Sequence, residues 1–211
     1  MARRSVFAVA VFVLGILGAT LFLPQAAMAQ EGGLLSRSEI NVLGTGLFQR
    51  DTTGNGITQR TTDAGGFLGG YRYHLNRLFA LEANYGYSRN SQIFATGGFN
   101  SRIQTNIHEV MGDLVVTSPV SVVGLKPYAL AGAGGLIFDP TQSVLIAGAG
   151  SQAKAAFVYG GGLDLHLLPH IALRGEYRGF VFHAPSFGIT GFNTDKMTHL
   201  AQPAVGLVIR L

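Results

Sequence analysis

Residues 171–181 read IALRGEYRGFV, and the spacing inside that run decides the fold. Ile171, Leu173, Gly175, Tyr177, Gly179 and Val181 share one parity, while Ala172, Arg174, Glu176, Arg178 and Phe180 share the other. A strand points successive side chains to opposite faces, so this run has one face free of charge and one that carries three charges in a row. Residues 79–88 repeat the pattern: Phe79, Leu81, Ala83, Tyr85 and Tyr87 oppose Ala80, Glu82, Asn84, Gly86 and Ser88. At the end of the chain Val205, Leu207, Ile209 and Leu211 oppose Ala204, Gly206, Val208 and Arg210.

Working outward from these runs, eight strands are predicted over 38–49, 62–74, 78–90, 104–117, 125–138, 153–167, 170–183 and 197–211. Strands of this length exceed the usual five or six residues of globular sheets and can cross a bilayer at a tilt. The connections alternate in length. Residues 75–77, 118–124 and 168–169 make short turns; 50–61, 91–103, 139–152 and 184–196 make four longer loops rich in Asn, Thr, Ser and Gly. Short turns at one end and long loops at the other are the layout of outer-membrane barrels, with the long loops outside the cell. Hydrophobic residues make up 47% of the chain and charged ones only 12%, about half the usual charged share. Beyond the N-terminal region, however, no uncharged apolar run reaches the length of a membrane helix. A closed barrel is the other arrangement that pairs every backbone polar group within lipid. The predicted fold is all-β: an eight-stranded antiparallel up-and-down transmembrane β-barrel preceded by a cleaved signal peptide.

The N-terminus supplies that leader. Arg3 and Arg4 precede an apolar run over 6–23, then Pro24 and the small-x-small site Ala27-Met28-Ala29. Residues 1–29 are read as a signal peptide and 30–211 as the barrel domain. The mature chain keeps thirteen basic and eleven acidic residues, a net charge of +2. So mild a balance argues against a nucleic-acid partner. The absence of cysteine excludes a disulfide framework and thiolate chemistry.

Two stretches carry a family resemblance. Lys126-Pro127-Tyr128-Ala129-Leu130-Ala131-Gly132-Ala133-Gly134 is one; Tyr159-Gly160-Gly161-Gly162-Leu163-Asp164, followed by Ala172-Leu173-Arg174-Gly175-Glu176-Tyr177, is the other. Both resemble strands of the outer-membrane-protein β-barrel family, which includes the opacity-type adhesins and the transmembrane domain of outer membrane protein A. The resemblance covers essentially all of 30–211. It implies residence in the bacterial outer membrane, contact with outer-membrane lipid and lipopolysaccharide, delivery by the barrel assembly machinery, and roles in adhesion, envelope integrity or host contact. Such barrels commonly end in an aromatic residue, whereas this sequence ends Val208-Ile209-Arg210-Leu211.

An eight-stranded barrel leaves an interior that side chains can fill. By parity the inward set includes Arg72, His74, Glu82, Asn84, Glu109, Asp113, Asp164, His166, Arg174, Glu176 and Arg178. Acids and bases mixed in a low-dielectric interior must pair, so these residues are expected to form an ion-pair network that plugs the bore and pins strand register. A gated ion path through the same network is the competing function. Leu68, Met111 and Val158 on the inward parity narrow such a path. The aromatics Phe67, Tyr71, Tyr73, Tyr85, Tyr87, Phe157, Tyr159, Tyr177 and Phe182 or its neighbours are expected to face lipid as interfacial girdles. The loop residues Phe94, Phe99, Ile146, Phe187, Ile189 and Phe192 are the expected contacts to an extracellular surface or protein ligand.

Two further classes are weighed. A lipid A deacylase-like enzyme needs a His base and a Ser nucleophile, for which His183 and Ser186, with Asp195, are the candidates. Pro185 between them and the two-residue spacing depart from that family's pattern, so a non-enzymatic protein is preferred. A soluble lipocalin-like carrier would invert the faces, apolar inside and polar outside. The six histidines are scattered, and neither metal-ligand spacing nor a cofactor motif is present.

Overall fold

The computed structural model describes residues 34–96, 99–142, 151–187 and 194–211. The chain divides into two units, 1–36 and 37–211. Of the first only 34–36 are described, at the start of the 3-10 turn Leu34–Arg37, so the expected leader over 1–29 lies outside the described residues. The second unit is built from ten strands: β1 (Ser38–Gln49), β2 (Thr52–Gly54), β3 (Ile57–Thr61), β4 (Ala64–His74), β5 (Phe79–Thr96), β6 (Phe99–Thr117), β7 (Leu125–Gln142), β8 (Gln152–Leu168), β9 (Ile171–His183) and β10 (Met197–Arg210).

Eight of these close on themselves. β1 pairs with β4 on one side and with β10 on the other, and β4 through β10 each pair antiparallel with the next. The first and last strands thus meet at the seam, Ile40 opposite Ile209, leaving no sheet edge within the closed ring. Burial alternates along each wall strand, running buried–exposed from Asn41 to Gly46 in β1 and from Ala172 to Arg178 in β9. Exposed Ile40, Val42, Leu81, Leu114, Leu163, Leu173, Val205, Leu207 and Ile209 make an outward apolar band, the face that matches lipid. Because those residues point out and the charged ones point in, the lipocalin alternative has its faces the wrong way round.

The structure departs from the expected spans on the loop side. The predicted loop over 91–103 is mostly strand: β5 and β6 stay in register from Phe79 opposite Val116 to Thr96 opposite Phe99. The predicted loop over 50–61 contains the β2–β3 hairpin, whose turn places Asn55 at φ 51° and Gly56 at φ 73°. Only residues that tolerate positive φ at both central positions fit that two-residue turn, and Asn-Gly is the strongest such pair. β3 pairs with the upper part of β5, Thr61 opposite Gln92, and so continues the wall above β4. β5 to β8 run 17 to 19 residues, against 12 to 14 for β1, β9 and β10, so the wall is taller on one side.

Candidate functional site

The lumen is filled in two tiers of opposite chemistry. On the turn side Arg72, Glu82, Asp113, Asp164, Arg174, Glu176 and Arg178 are all buried within the barrel. Each reaches the bore because it shares parity with the other inward positions of its strand. Arg174 grips Asp164 with two parallel bonds, Nε to Oδ1 at 2.7 Å and a terminal nitrogen to Oδ2 at 2.8 Å. It also donates to Glu39 at 3.3 Å. Arg178 donates to Asp113 at 2.9 Å and Glu82 at 3.3 Å, and its Nε donates to Glu176. Arg72 donates to Glu82. The fork of donors on each guanidinium suits it to bridge several carboxylates at once, which a lysine could not do.

Tyr128 sits at the centre of this tier. Its ring lies beneath the Arg72 guanidinium at 4.5 Å and the Arg174 guanidinium at 5.1 Å, and its hydroxyl donates to Glu176. The aromatic face offsets part of the cost of placing two cations side by side. At the turn-side mouth Glu39 gathers Arg210 Nε at 2.9 Å and His74 Nε2 at 3.0 Å. Glu109 stands one step above the arginines and accepts from Gln202 at 2.8 Å. His166 is half-buried near the turn-side end of β8. Sequence reasoning missed Glu39, Tyr128, Arg210 and Gln202. All four were open to it, because each shares the inward parity of its strand.

On the loop side the bore is mainly apolar, with buried Gln59, Gln92 and Asn90 as its polar members. Leu47, Ile103, Ile107, Leu136, Phe138, Val158, Phe180, Phe182 and Leu200 belong to one buried cluster with Phe94 and Phe187. Phe182 therefore points inward and does not belong to the lipid-facing girdle. Phe94 and Phe187 are buried as well, with rings packed edge to face at 6.1 Å, and neither is presented to the outside. Ile146, Ile189 and Phe192 lie outside the described residues, and Phe99 occupies the first position of β6.

The outer face carries the expected girdle. Phe67, Tyr85, Tyr87 and His108 pack ring on ring across β4, β5 and β6, and Phe157, Tyr159 and His199 do so across β8 and β10. Above this level the outward residues turn polar: Arg89 donates to Asn106 at 2.8 Å and Arg102 to Ser91 at 3.0 Å. Arg60, Ile93 and Arg102 stand in register across β3, β5 and β6, lining a groove of about 520 Å³ with Thr58, Ala95 and Ser101. Arg60 shares its charge with exposed Asp51 at 3.2 Å. His183 is exposed at the end of β9, and Ser186 is held through its backbone amide by Gln152 at 2.9 Å.

A closed eight-stranded wall, apolar outside and charged within, defines a bacterial outer-membrane β-barrel. The chain belongs to the outer membrane protein beta-barrel domain family, which matches residues 15–200. Among solved structures it resembles Neisserial surface protein A, with a TM-score of 0.59 at 9% identity over 83% of this chain and 98% of that one. It also resembles the outer membrane protein AlkL determined in lipid bilayers, with a TM-score of 0.51 at 14% identity over 86% of this chain and 93% of that one. At such identities the likeness is one of fold. No curated protein sequence matches the chain.

Proposed function

We propose that the protein is a non-enzymatic surface barrel whose bore is plugged and whose activity lies in contact with an external surface bearing anionic groups. The observation that carries this reading is the sheet of β2, β3 and the upper parts of β5 and β6, which rises beyond the aromatic girdle with Arg60 and Arg102 facing one groove. From Tyr87 to Ala95 the strand climbs roughly 26 Å along its axis, or about 20 Å of height at a typical barrel tilt. Exposed guanidinium groups at that height meet sulfate, phosphate or carboxylate in bidentate fashion. The plug is supported by the turn-side arginines, which occupy the bore together with five carboxylates and Tyr128. A bore filled by these side chains disfavours a role in bulk permeation.

The test is adhesion of cells displaying the full protein to immobilised sulfated polysaccharide. Arg60→Ala with Arg102→Ala is expected to lower attachment at least five-fold at 50 mM salt, and the unaltered protein should lose most attachment at 500 mM. Attachment that survives both the double substitution and high salt would remove this reading. Planar-bilayer recording checks the plug, which predicts no steady open-channel current.

A further inference from the structure

One ring of the loop-side cluster does not come from the barrel wall. Phe187 follows β9 by four residues and belongs to no strand, yet it is almost fully buried among Phe94 and its neighbours. Its φ is 53°, a left-handed conformation that a bulky residue adopts only when its surroundings hold it there. Among the described residues one side chain holds this turn. Gln152 Oε1 accepts from the backbone amides of both Ser186 at 2.9 Å and Phe187 at 3.1 Å. Among the described residues, two hydrogen bonds and one left-handed residue hold the ring in the bore, and none of them belongs to a strand pairing.

A second observation borders the same place. Gln59 stands directly opposite Phe94 across the β3–β5 pair. Its Nε2 donates to Gln92 Oε1 at 2.8 Å, and Gln92 Nε2 donates to Asn90 Oδ1 at 3.4 Å. The chain of three amides ends in Gln59 Oε1 and Asn90 Nδ2, both buried and without a hydrogen-bond partner among the described residues. Turning all three amides over exchanges the two ends but still leaves one acceptor and one donor open. A buried polar atom left open costs of order 1–3 kcal/mol, and among the open atoms of the lumen Gln59 Oε1 belongs to the residue that stands opposite Phe94.

We propose that the loop-side half of the lumen is a binding chamber for a small neutral amphiphile, whose apolar ring or chain takes the place of Phe187 and whose amide-like head pairs with the open end of the Gln59 amide. The floor is the Glu109–Gln202 bond and the charged tier below it, so the ligand enters and leaves on the loop side. Removal of a buried ring from such a cluster leaves an apolar cavity, and dry cavities of that size take up benzene-like molecules. This role is separate from surface contact through Arg60 and Arg102, and neither depends on the other.

The experiment uses 4-fluorobenzamide, which carries a ring, an amide donor and an amide acceptor. Binding to the full protein in phosphocholine nanodiscs is followed by fluorine NMR, with empty nanodiscs as the baseline. Phe187→Ala is expected to bind one probe per barrel at least ten-fold more tightly than the unaltered protein. Gln59→Leu added to Phe187→Ala should return most of that gain, and fluorobenzene should not distinguish the two variants. Absence of saturable binding in a Phe187→Ala protein that still migrates as a folded barrel before boiling overturns the proposal, as does a gain indifferent to Gln59. Gln152→Ala frees the two amides and keeps the Phe187 ring, Phe94 and the Gln59 amide chain. It covers the case in which Phe187→Ala fails to fold: it should tighten binding several-fold, and unchanged affinity overturns the idea.

Discussion

The two tiers of the lumen fill similar space by opposite means. Below, three arginines are each shared among several carboxylates, so every member depends on the others. Above, apart from one chain of amides, aromatic and aliphatic side chains fill volume without naming a partner. Desolvated charges are tolerated only while paired, whereas apolar packing asks mainly for the right volume. The lower tier is thus suited to fix register and the upper to accommodate change.

The sharpest way to break this contrast is to make the same kind of substitution in each tier. Arg178→Met keeps much of the apolar stem but takes a shared cation from Asp113, Glu176 and Glu82, leaving Asp113 with only the neutral Asn84 amide as a hydrogen-bond partner among the described residues. It should cost about 3–5 kcal/mol in urea unfolding followed by gel mobility. Phe138→Leu, a near volume-conserving change in the upper tier, should cost under about 1.5 kcal/mol in the same assay. Equal costs would erase the distinction. Glycines offer a finer probe. A Cβ at Gly162 would run into the Tyr128 hydroxyl and the Gly175 carbonyl oxygen, whereas at Gly175 it would meet nothing within 4 Å. Gly162→Ala should therefore destabilise by about 1–3 kcal/mol by displacing Tyr128 from its place under the two arginines, and Gly175→Ala should be near neutral. The smallest effect lies outside both tiers. Asp51→Ala removes an exposed partner of Arg60 and should change stability by no more than about 0.5 kcal/mol, while leaving Arg60 freer for an anion. Attachment to sulfated polysaccharide by that variant should rise modestly.

The lower tier and the membrane-crossing strands were legible in the sequence because lipid imposes a contrast between faces. Ile171 to Arg178 reads as a strand only because its outer residues meet hydrocarbon and its inner ones meet each other. Above the girdle that contrast vanishes. Arg89, Gln104 and Asn106 lie on the outer face of strands whose inner side is itself partly polar, so alternation fades and the extension reads as loop. The Asn55-Gly56 turn was a visible hairpin signal within that stretch. The buried phenylalanines failed for a related reason: apolar residues among polar ones read as exposed contacts. Parity carried through from Glu82 and Asn84 would have turned Phe94 inward. Phe187 had no such guide, since it lies beyond the last strand residue of β9 and its position is set by Gln152, far away in the chain.

The unequal height of the wall has a consequence for the protein among its neighbours. A cylinder looks the same from every side, but a barrel with one raised flank has a front and a back within the plane of the membrane. A neighbour crowding the side of β9, β10 and β1 leaves the arginine groove open, whereas one crowding the side of β3, β5 and β6 covers it. At a fixed number of copies per cell, the fraction able to engage a surface then falls as the surrounding membrane fills.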